Sequence, residues 1–255
     1  MKFIYSLSIF LSVTIGSFAQ TRFIHVFVAL CDNKNQGIVK VPAKIGNGQD
    51  PVNNLYWGCR YGLKTYFKNQ QDWKLIKTEQ NPSPGILERV YFSHATFNTL
   101  LIADAYDGAC IKQCTIDFLE TSAGKKDNIS DTNAQGKVIA TEINPHLVCY
   151  IGHNGLMDFE LETFPKGKGY FKCETIVLAC ASQPYFKEAI VQSASTPLLW
   201  TTNLMCPEAY TLKAAIDGWL LSESPKSIRQ RAAQAYASYQ HCSVQSALKL
   251  LVTGW

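Results

Sequence analysis

Several common functional signatures are missing from this sequence of 255 residues. No Gly-x-Gly-x-x-Gly follows the first predicted strand, over residues 23–30, which argues against a dinucleotide-binding enzyme. Its nine cysteines form no Cys-x-x-Cys pair and no spacing typical of metal ligands. Charged residues make up only 17% of the chain, and the lysines and arginines behind the net charge of +4 are scattered. We therefore expect no metal, no cofactor and no nucleic-acid partner.

Long apolar runs are absent except at the amino terminus. There Lys2 precedes the apolar segment from Phe3 to Ile15, and Ser17-Phe18-Ala19 has the small-x-small pattern of a cleavage site. This arrangement predicts a secretory signal peptide over residues 1–19 and a mature chain that begins near Gln20. The apolar run is short for a membrane span, although an uncleaved anchor is the alternative. We expect an exported protein, periplasmic or secreted, with no stable membrane insertion after cleavage.

Cysteine is plentiful, and its number bears on the compartment. An exported protein meets an oxidising environment in which thiols tend to pair. Because nine is an odd number, at least one cysteine stays free or pairs outside the chain. The alternative is that several are small buried apolar residues.

Apolar runs alternate with amphipathic segments along residues 20–255, without a repeat or a linker. Strands are predicted over 23–30, 88–93, 99–105, 146–152, 175–179 and 197–202. Helices are predicted over 61–76, 109–122, 207–221 and 226–240 and after Ser243, and loops over 32–54 and 124–136. Near-continuous apolar strands separated by helices predict one α/β domain of three layers, with a mostly parallel six-stranded sheet covered by helices on both faces.

Two of the predicted strands end at residues capable of chemistry. One run stops before His153 and another stops before Cys180. Carboxyl ends of parallel strands meet at one edge of a sheet, where α/β proteins bind their ligands. A neutral imidazole there can take the proton of a thiol, and the thiolate can attack a carbonyl carbon. The alternative is a structural cysteine beside a tight turn.

Such an attack creates an oxyanion, which needs backbone N–H donors. The candidates are the N–H groups of Asn154, Gly155 and Cys180. Asn is among the residues that best tolerate the left-handed backbone region. The sequence therefore predicts a positive φ at Asn154, with Gly155 completing the turn.

Polar residues after two other strands are further candidates. The long loop behind the first strand predicts substrate recognition by Asp32, Gln49 and Asp50, because long loops are often functional; a merely solvated loop is the alternative. Asp104 and Asp107 together offer a site for a cation or a basic side chain. The favoured interpretation is that Asp107 caps the following helix, and that Asp158 is structural.

The strand ending in Gly152-His153-Asn154-Gly155, followed by one ending in Leu178-Ala179-Cys180-Ala181-Ser182, resembles the caspase-like cysteine peptidases, in particular their bacterial CHAT-type domains. The strand over 195–202 and the helices 207–221 and 226–240 are similar to the elements that follow the cysteine in that family. The resemblance implies a caspase-like fold over residues 20–255, with Cys180 as nucleophile and His153 as acid and base.

The implied activity is that of an exported cysteine endopeptidase acting on a peptide or protein substrate. The sequence departs from the family at Asn154, where Gly usually follows the histidine. It also has Leu178-Ala179 where the metacaspase branch carries Asp, so specificity for basic residues is not supported. Two alternatives stay open, namely an inactive caspase-like binding or assembly protein and another thiol-dependent acyl hydrolase.

Overall fold

The structure, a computed structural model, describes residues 21–125, 131–132, 138–140, 144–167, 169 and 173–255. The predicted signal peptide and most of the predicted loop 124–136 lie outside these residues. The strands are β1 (Arg22–Ala29), β2 (Trp73–Ser83), β3 (Ile86–His94), β4 (Thr99–Tyr106), β5 (Asp131–Thr132), β6 (Val138–Ala140), β7 (Leu147–Ile151), β8 (Glu174–Leu178), β9 (Thr196–Thr201) and β10 (Leu251–Val252). The helices are α1 (Leu63–Lys68), α2 (Ile111–Ser122), α3 (Ser182–Ser193), α4 (Ala209–Leu220), α5 (Pro225–Gln240) and α6 (Val244–Leu250).

Eight of these strands form one mixed sheet in the order β10-β9-β8-β7-β1-β4-β3-β2. The neighbours from β9 to β4 pair in parallel, whereas β4–β3, β3–β2 and β9–β10 pair antiparallel. Strands β5 and β6 form a separate antiparallel pair. The α/β class predicted from the sequence is confirmed, but the sheet has eight strands instead of six.

The two unpredicted strands of this sheet are β2 and β10. The helix predicted over 61–76 is wrong beyond Lys68, because the chain turns there and continues as β2. Exposure along much of β2 alternates from residue to residue, as in a strand with one covered face. Strand β10 has two residues, too few for a pattern to be seen. Helix α3 was also not predicted.

Helices cover both faces of the sheet. Residues of α1, α4, α5 and α6 pack with Ile24, Val26 and Val28 of β1. Residues of α2 and α3 pack with Phe27 and Ala29 of the same strand. This double cover explains why the parallel strands are apolar almost throughout. Among the described residues, no helix has the length and apolar character needed to span a bilayer.

All nine cysteines belong to the described part of the chain and are free thiols there. Four of them, Cys31, Cys114, Cys149 and Cys173, are buried. These four agree with the interpretation of cysteine as a small apolar core residue. Burial raises the pKa of the Cys31 thiol to about 11, which makes this sulfur a poor nucleophile at neutral pH.

Candidate active site

The sheet brings His153 and Cys180 to the same edge. Strands β7 and β8 pair in parallel with Ile151 opposite Leu178, and the next N–H, that of Gly152, donates to the Leu178 carbonyl at 3.2 Å. Strand β7 ends two residues before His153, and β8 ends two residues before Cys180. Both side chains line one pocket of about 430 Å³. The prediction that the two residues follow adjacent parallel strands is confirmed.

The turn after β7 is made by Gly152. Its φ is +144°, and a Cβ there would lie 3.1 Å from the carbonyl oxygen of Ala29. Asn154, in contrast, has φ −79° and ψ 96°. The predicted positive φ at Asn154 is therefore wrong. Because the unusual backbone conformation falls before the histidine, the residue after it needs no glycine-like freedom.

Asn154 acts through its side chain. Its Nδ2 donates a hydrogen bond of 2.7 Å to the carbonyl oxygen of Cys180. Its Oδ1 accepts the N–H of Leu156 at 3.1 Å. The residue has no exposed surface. Asn154 thus ties the histidine turn to the cysteine turn, a role that glycine cannot fill.

Asp158 contacts the ring of His153. Its Oδ2 lies 2.7 Å from Nε2 of the ring and also accepts the N–H of Gly37 at 2.9 Å. A carboxylate only accepts, so Nε2 carries the hydrogen, and in the neutral imidazole Nδ1 then keeps its lone pair. In the described part of the chain Nδ1 has no hydrogen-bond partner. The structural role predicted for Asp158 from the sequence does not include this contact.

Cys180 lies between the end of β8 and the start of α3. Its Sγ accepts the N–H of Met205 at 3.4 Å and donates to the Met205 carbonyl at 3.5 Å. The following residue, Ala181, has a left-handed backbone with φ +48°. The amino end of α3 carries partial positive charge, which favours negative charge nearby. Cys180 is partly exposed in the pocket.

No hydrogen bond joins the sulfur of Cys180 to the ring of His153 among the interactions of these two described residues. The sulfur contacts the backbone of Met205, and the ring contacts Asp158. Catalytic contacts are often long in unliganded sites and tighten when substrate binds. The arrangement therefore places an imidazole and a thiol in one pocket without a hydrogen bond between them.

The three predicted oxyanion donors differ in availability. Gly155 is buried in the 3₁₀ turn and does not line the pocket. The N–H groups of Asn154 and Cys180 make no hydrogen bond with any described residue. Asn154 is fully covered, whereas Cys180 reaches the pocket. The N–H of Cys180 is the donor best placed to meet a substrate oxygen.

The predicted recognition residues of the long loop do not line the pocket. The Asp32 carboxylate is buried and accepts the N–H groups of Lys34 and Asn35. The amide of Gln49 donates to Asp32 at 3.2 Å. Asp50 accepts the N–H of Val52 at 3.1 Å in the same way. Asp32, Gln49 and Asp50 therefore hold the loop together.

The same loop reaches the pocket through apolar residues that the sequence analysis did not single out. Gly37, Ile38, Val39 and Val41 line the pocket, and so does the segment from Leu204 to Glu208. Leu55 and Tyr56 also contribute. Apolar residues interrupted by Gly and Lys in a predicted loop gave no periodic signal.

The pair Asp104 and Asp107 does not form one site. Asp104 is buried inside β4, where Arg89 and His25 bind its carboxylate. Asp107 accepts the N–H of Ala109 at 2.9 Å and caps the short 3₁₀ turn before α2, as predicted. Over the part of the chain that the structure describes, no cluster of three or more His, Cys, Asp or Glu side chains is arranged to hold a metal ion.

Comparison of the chain with family models, curated proteins and solved structures gives no match in any of the three. The function therefore has to be argued from the fold and from the chemistry of this pocket.

Proposed function

We propose that the chain is an exported cysteine endopeptidase of the caspase-like class, with Cys180 as nucleophile and His153 as acid and base. The observation that carries the proposal is the placement of both residues at adjacent strand ends in one pocket, with Asp158 behind the histidine. The order of β7, β8, β9, α4 and α5 agrees with the resemblance. The eight-stranded sheet is larger than the resemblance implies.

The chemistry follows from the two turns. Nδ1 of His153 takes the thiol proton, and the sulfur of Cys180 attacks the carbonyl carbon of the scissile bond. The N–H of Cys180 donates to the oxyanion. The C–N bond then breaks, and the imidazolium gives its proton to the leaving amine. Water attacks the thioester carbonyl while His153 accepts its proton. The C–S bond then breaks, which releases the acid, and His153 returns the proton to the sulfur of Cys180.

The ring and the sulfur must approach one another for the first step. The thiol contacts the Met205 backbone in this structure. A substrate backbone that occupies the pocket beside Met205 would compete for those contacts. We propose that substrate binding releases the sulfur toward His153, in line with catalytic contacts that tighten in the bound complex.

The decisive experiment incubates the protein, begun at Gln20, with a peptide library and identifies products by mass spectrometry. Cleavage is expected from the native chain and is expected to disappear in Cys180→Ala and His153→Ala. Cys242→Ala is the matched control, because Cys242 is an exposed thiol that does not line the pocket. Cleavage that survives Cys180→Ala, or no cleavage by any form, contradicts the proposal.

An inactive binding or assembly protein is the second candidate. It is favoured by the engagement of the Cys180 sulfur with Met205 in place of His153. Alkylation by iodoacetamide at neutral pH separates the two candidates. In a peptidase, His153→Ala is expected to slow the alkylation of Cys180. In an inactive protein, the same substitution is expected to leave the alkylation rate unchanged.

Another thiol-dependent acyl hydrolase would use the same side chains. Activated esters and thioesters distinguish it, because such an enzyme hydrolyses them and leaves peptide amides intact.

The export part of the proposal rests on residues 1–19 of the sequence. Amino-terminal sequencing of protein from the native host is expected to begin near Gln20, and a retained Met1 would contradict it.

A further inference from the structure

Apolar residues line the pocket beside Cys180. Ile38, Val41 and Leu55 line it and also pack against the core of the domain. Met205 and Pro207 line it as well and are buried. Walls that rest on the core keep their shape without a ligand, as preformed binding pockets do.

Apolar side chains also surround the pocket opening. Val39 is 92% exposed, Leu204 67% and Met157 42%, and all three line the pocket. Single exposed apolar residues are common on protein surfaces, but several around one concave site indicate an interaction surface. The chain thus leaves apolar surface uncovered where the proposed nucleophile is reached.

Charge is scarce in the same pocket. Among the described residues that line it there is no Lys or Arg, and the one carboxylate is that of Glu208. Its Oε2 accepts the hydroxyl of Tyr210 at 2.9 Å and the amide of Gln240 at 3.3 Å. Burial raises the pKa of Glu208, and the hydrogen bond from Tyr210 offsets only part of that rise.

These contacts bear on which substrate side chains fit. An acidic side chain would find no Lys or Arg to pair with among the residues that line this pocket. A basic side chain would meet one carboxylate that already accepts two hydrogen bonds, and would lose its own hydration against apolar walls. An apolar side chain gains contact with the buried apolar residues that line the pocket and with the exposed ones at its opening. A volume of about 430 Å³ falls in the range of small-ligand pockets.

We infer that this pocket binds a bulky apolar side chain of the substrate, that of the residue whose carbonyl carbon Cys180 attacks. The inference rests on the proposed function, because it takes Cys180 as the attacking group. The substrate class is then a peptide cleaved after residues such as Leu, Phe or Met.

The test uses the native chain and tripeptide coumarin amides that differ only in the last residue: Leu, Phe, Met, Arg, Lys or Asp. The apolar members are expected to have kcat/KM values at least about 10-fold higher than the charged members, as apolar contacts in a specificity pocket allow. Val39→Glu is expected to lower kcat/KM for the Phe peptide several-fold. Val52→Glu is the matched control, since Val52 is an exposed residue of the same loop that does not line the pocket.

A preference for Arg or Lys that disappears in Glu208→Gln would overturn the inference and leave the peptidase proposal intact. A second measurement tests binding alone, in a variant that cannot cleave the peptide. Fluorescent peptides of the same series are titrated into the Cys180→Ala variant, and the apolar members are expected to bind at least about 10-fold more tightly. Equal binding across the series overturns the inference. If the apolar peptides bind more tightly but the native chain cleaves none of them, the peptidase proposal is contradicted. The inference that the pocket binds an apolar side chain is then still supported.

Discussion

The side-chain amide of Asn154 donates a 2.7 Å hydrogen bond to the carbonyl oxygen of Cys180. This bond joins the turns that follow β7 and β8, beyond the last backbone pair of the two strands. The relative position of His153 and Cys180 therefore depends on one buried side chain as well as on the sheet. It also gives a physical reason for asparagine at a position where the resembling family usually has glycine.

Changing Asn154 is expected to damage both stability and activity. Asn154→Gly removes the bond and leaves the Cys180 carbonyl without this donor, which typically costs about 1–3 kcal/mol. Asn154→Asp is expected to be worse, because a carboxylate would face a carbonyl and both are acceptors. Urea unfolding and peptide cleavage should rank native above Asn154→Gly, and Asn154→Gly above Asn154→Asp.

Asn69→Asp is the control for the change of charge, since Asn69 is exposed and outside the site. An Asn154→Gly variant as stable and as active as the native chain would show that the bond does not hold the site together.

Asp158 is expected to orient the ring of His153. Asp158→Ala removes the acceptor at 2.7 Å from Nε2, so the ring can rotate and the proton can move to the other nitrogen. Loss of a positioned base commonly lowers rates by 10²–10⁴-fold, so we expect kcat to fall on the order of 10²-fold. Asp158→Asn keeps an acceptor oxygen and should fall less.

Glu160→Ala is the matched control for Asp158→Ala, because Glu160 is exposed and two residues further on. Steady-state kinetics on one cleaved peptide decides the matter. Equal kcat in Asp158→Ala and Glu160→Ala would remove Asp158 from the mechanism.

The strand ends that carry the site were predictable, and the contacts around them were not. Buried β-branched runs before His153 and Cys180 predict parallel strands, because both faces of such strands are covered. The contact of Asp158 with His153 depends on the short 3₁₀ turn Gly155–Met157 that brings the carboxylate back. Nothing in residue spacing distinguishes that turn from an ordinary loop.

The predicted recognition residues Asp32, Gln49 and Asp50 do not line the pocket, for a related reason. Asp32 and Asp50 have the composition of a binding loop, but their carboxylates accept N–H groups two and three residues further on. Asp residues in turns commonly bond their own backbone, and a sequence does not show whether a ligand or the loop is the partner. The apolar residues that do reach the pocket became recognisable only when Val39 and Leu204 were seen to face one cavity.

Buried Asp104 is expected to make the stability of the fold depend on pH. Burial would raise the pKa of its carboxyl, but hydrogen bonds from Arg89 and His25 outweigh burial and hold the pKa below its usual value. A group whose pKa is lower in the folded state contributes stability above its unfolded pKa. That contribution is lost as the pH falls through the folded pKa.

Asp104→Asn is therefore expected to lower the free energy of unfolding by about 3–5 kcal/mol at neutral pH, because it leaves the Arg89 guanidinium buried without its anion. The difference from the native chain should shrink as the pH falls below about 4. Urea titrations across pH 3–7 provide the measurement. Glu223→Gln is the comparison, since its pair with Arg231 is partly exposed to solvent and should contribute little. A pH-independent difference for Asp104→Asn would contradict this account.

Ala181, directly after Cys180, is expected to hold strain in the turn that presents the sulfur. Its φ of +48° is in the left-handed region, which costs an L-residue about 1–2 kcal/mol. Ala181→Gly relieves that strain and loses part of the gain to the greater freedom of the unfolded chain, so we expect stability to rise by up to about 1 kcal/mol. Ala181→Val should lower it, because a β-branched residue is a poorer fit to this region.

The same substitution should separate stability from activity. Ala194 ends α3 with a similar φ of +58°, far along the chain from Cys180 and outside its pocket. Ala194→Gly is therefore the matched control, expected to gain stability and keep full cleavage. Ala181→Gly is expected to gain stability and to lose activity, because the turn then fixes the sulfur less firmly beside His153. Urea unfolding and peptide cleavage of both variants measure the two effects. Equal activity in Ala181→Gly and Ala194→Gly would show that the left-handed residue at 181 only directs the backbone into α3. It would not then be needed to position the thiol of Cys180.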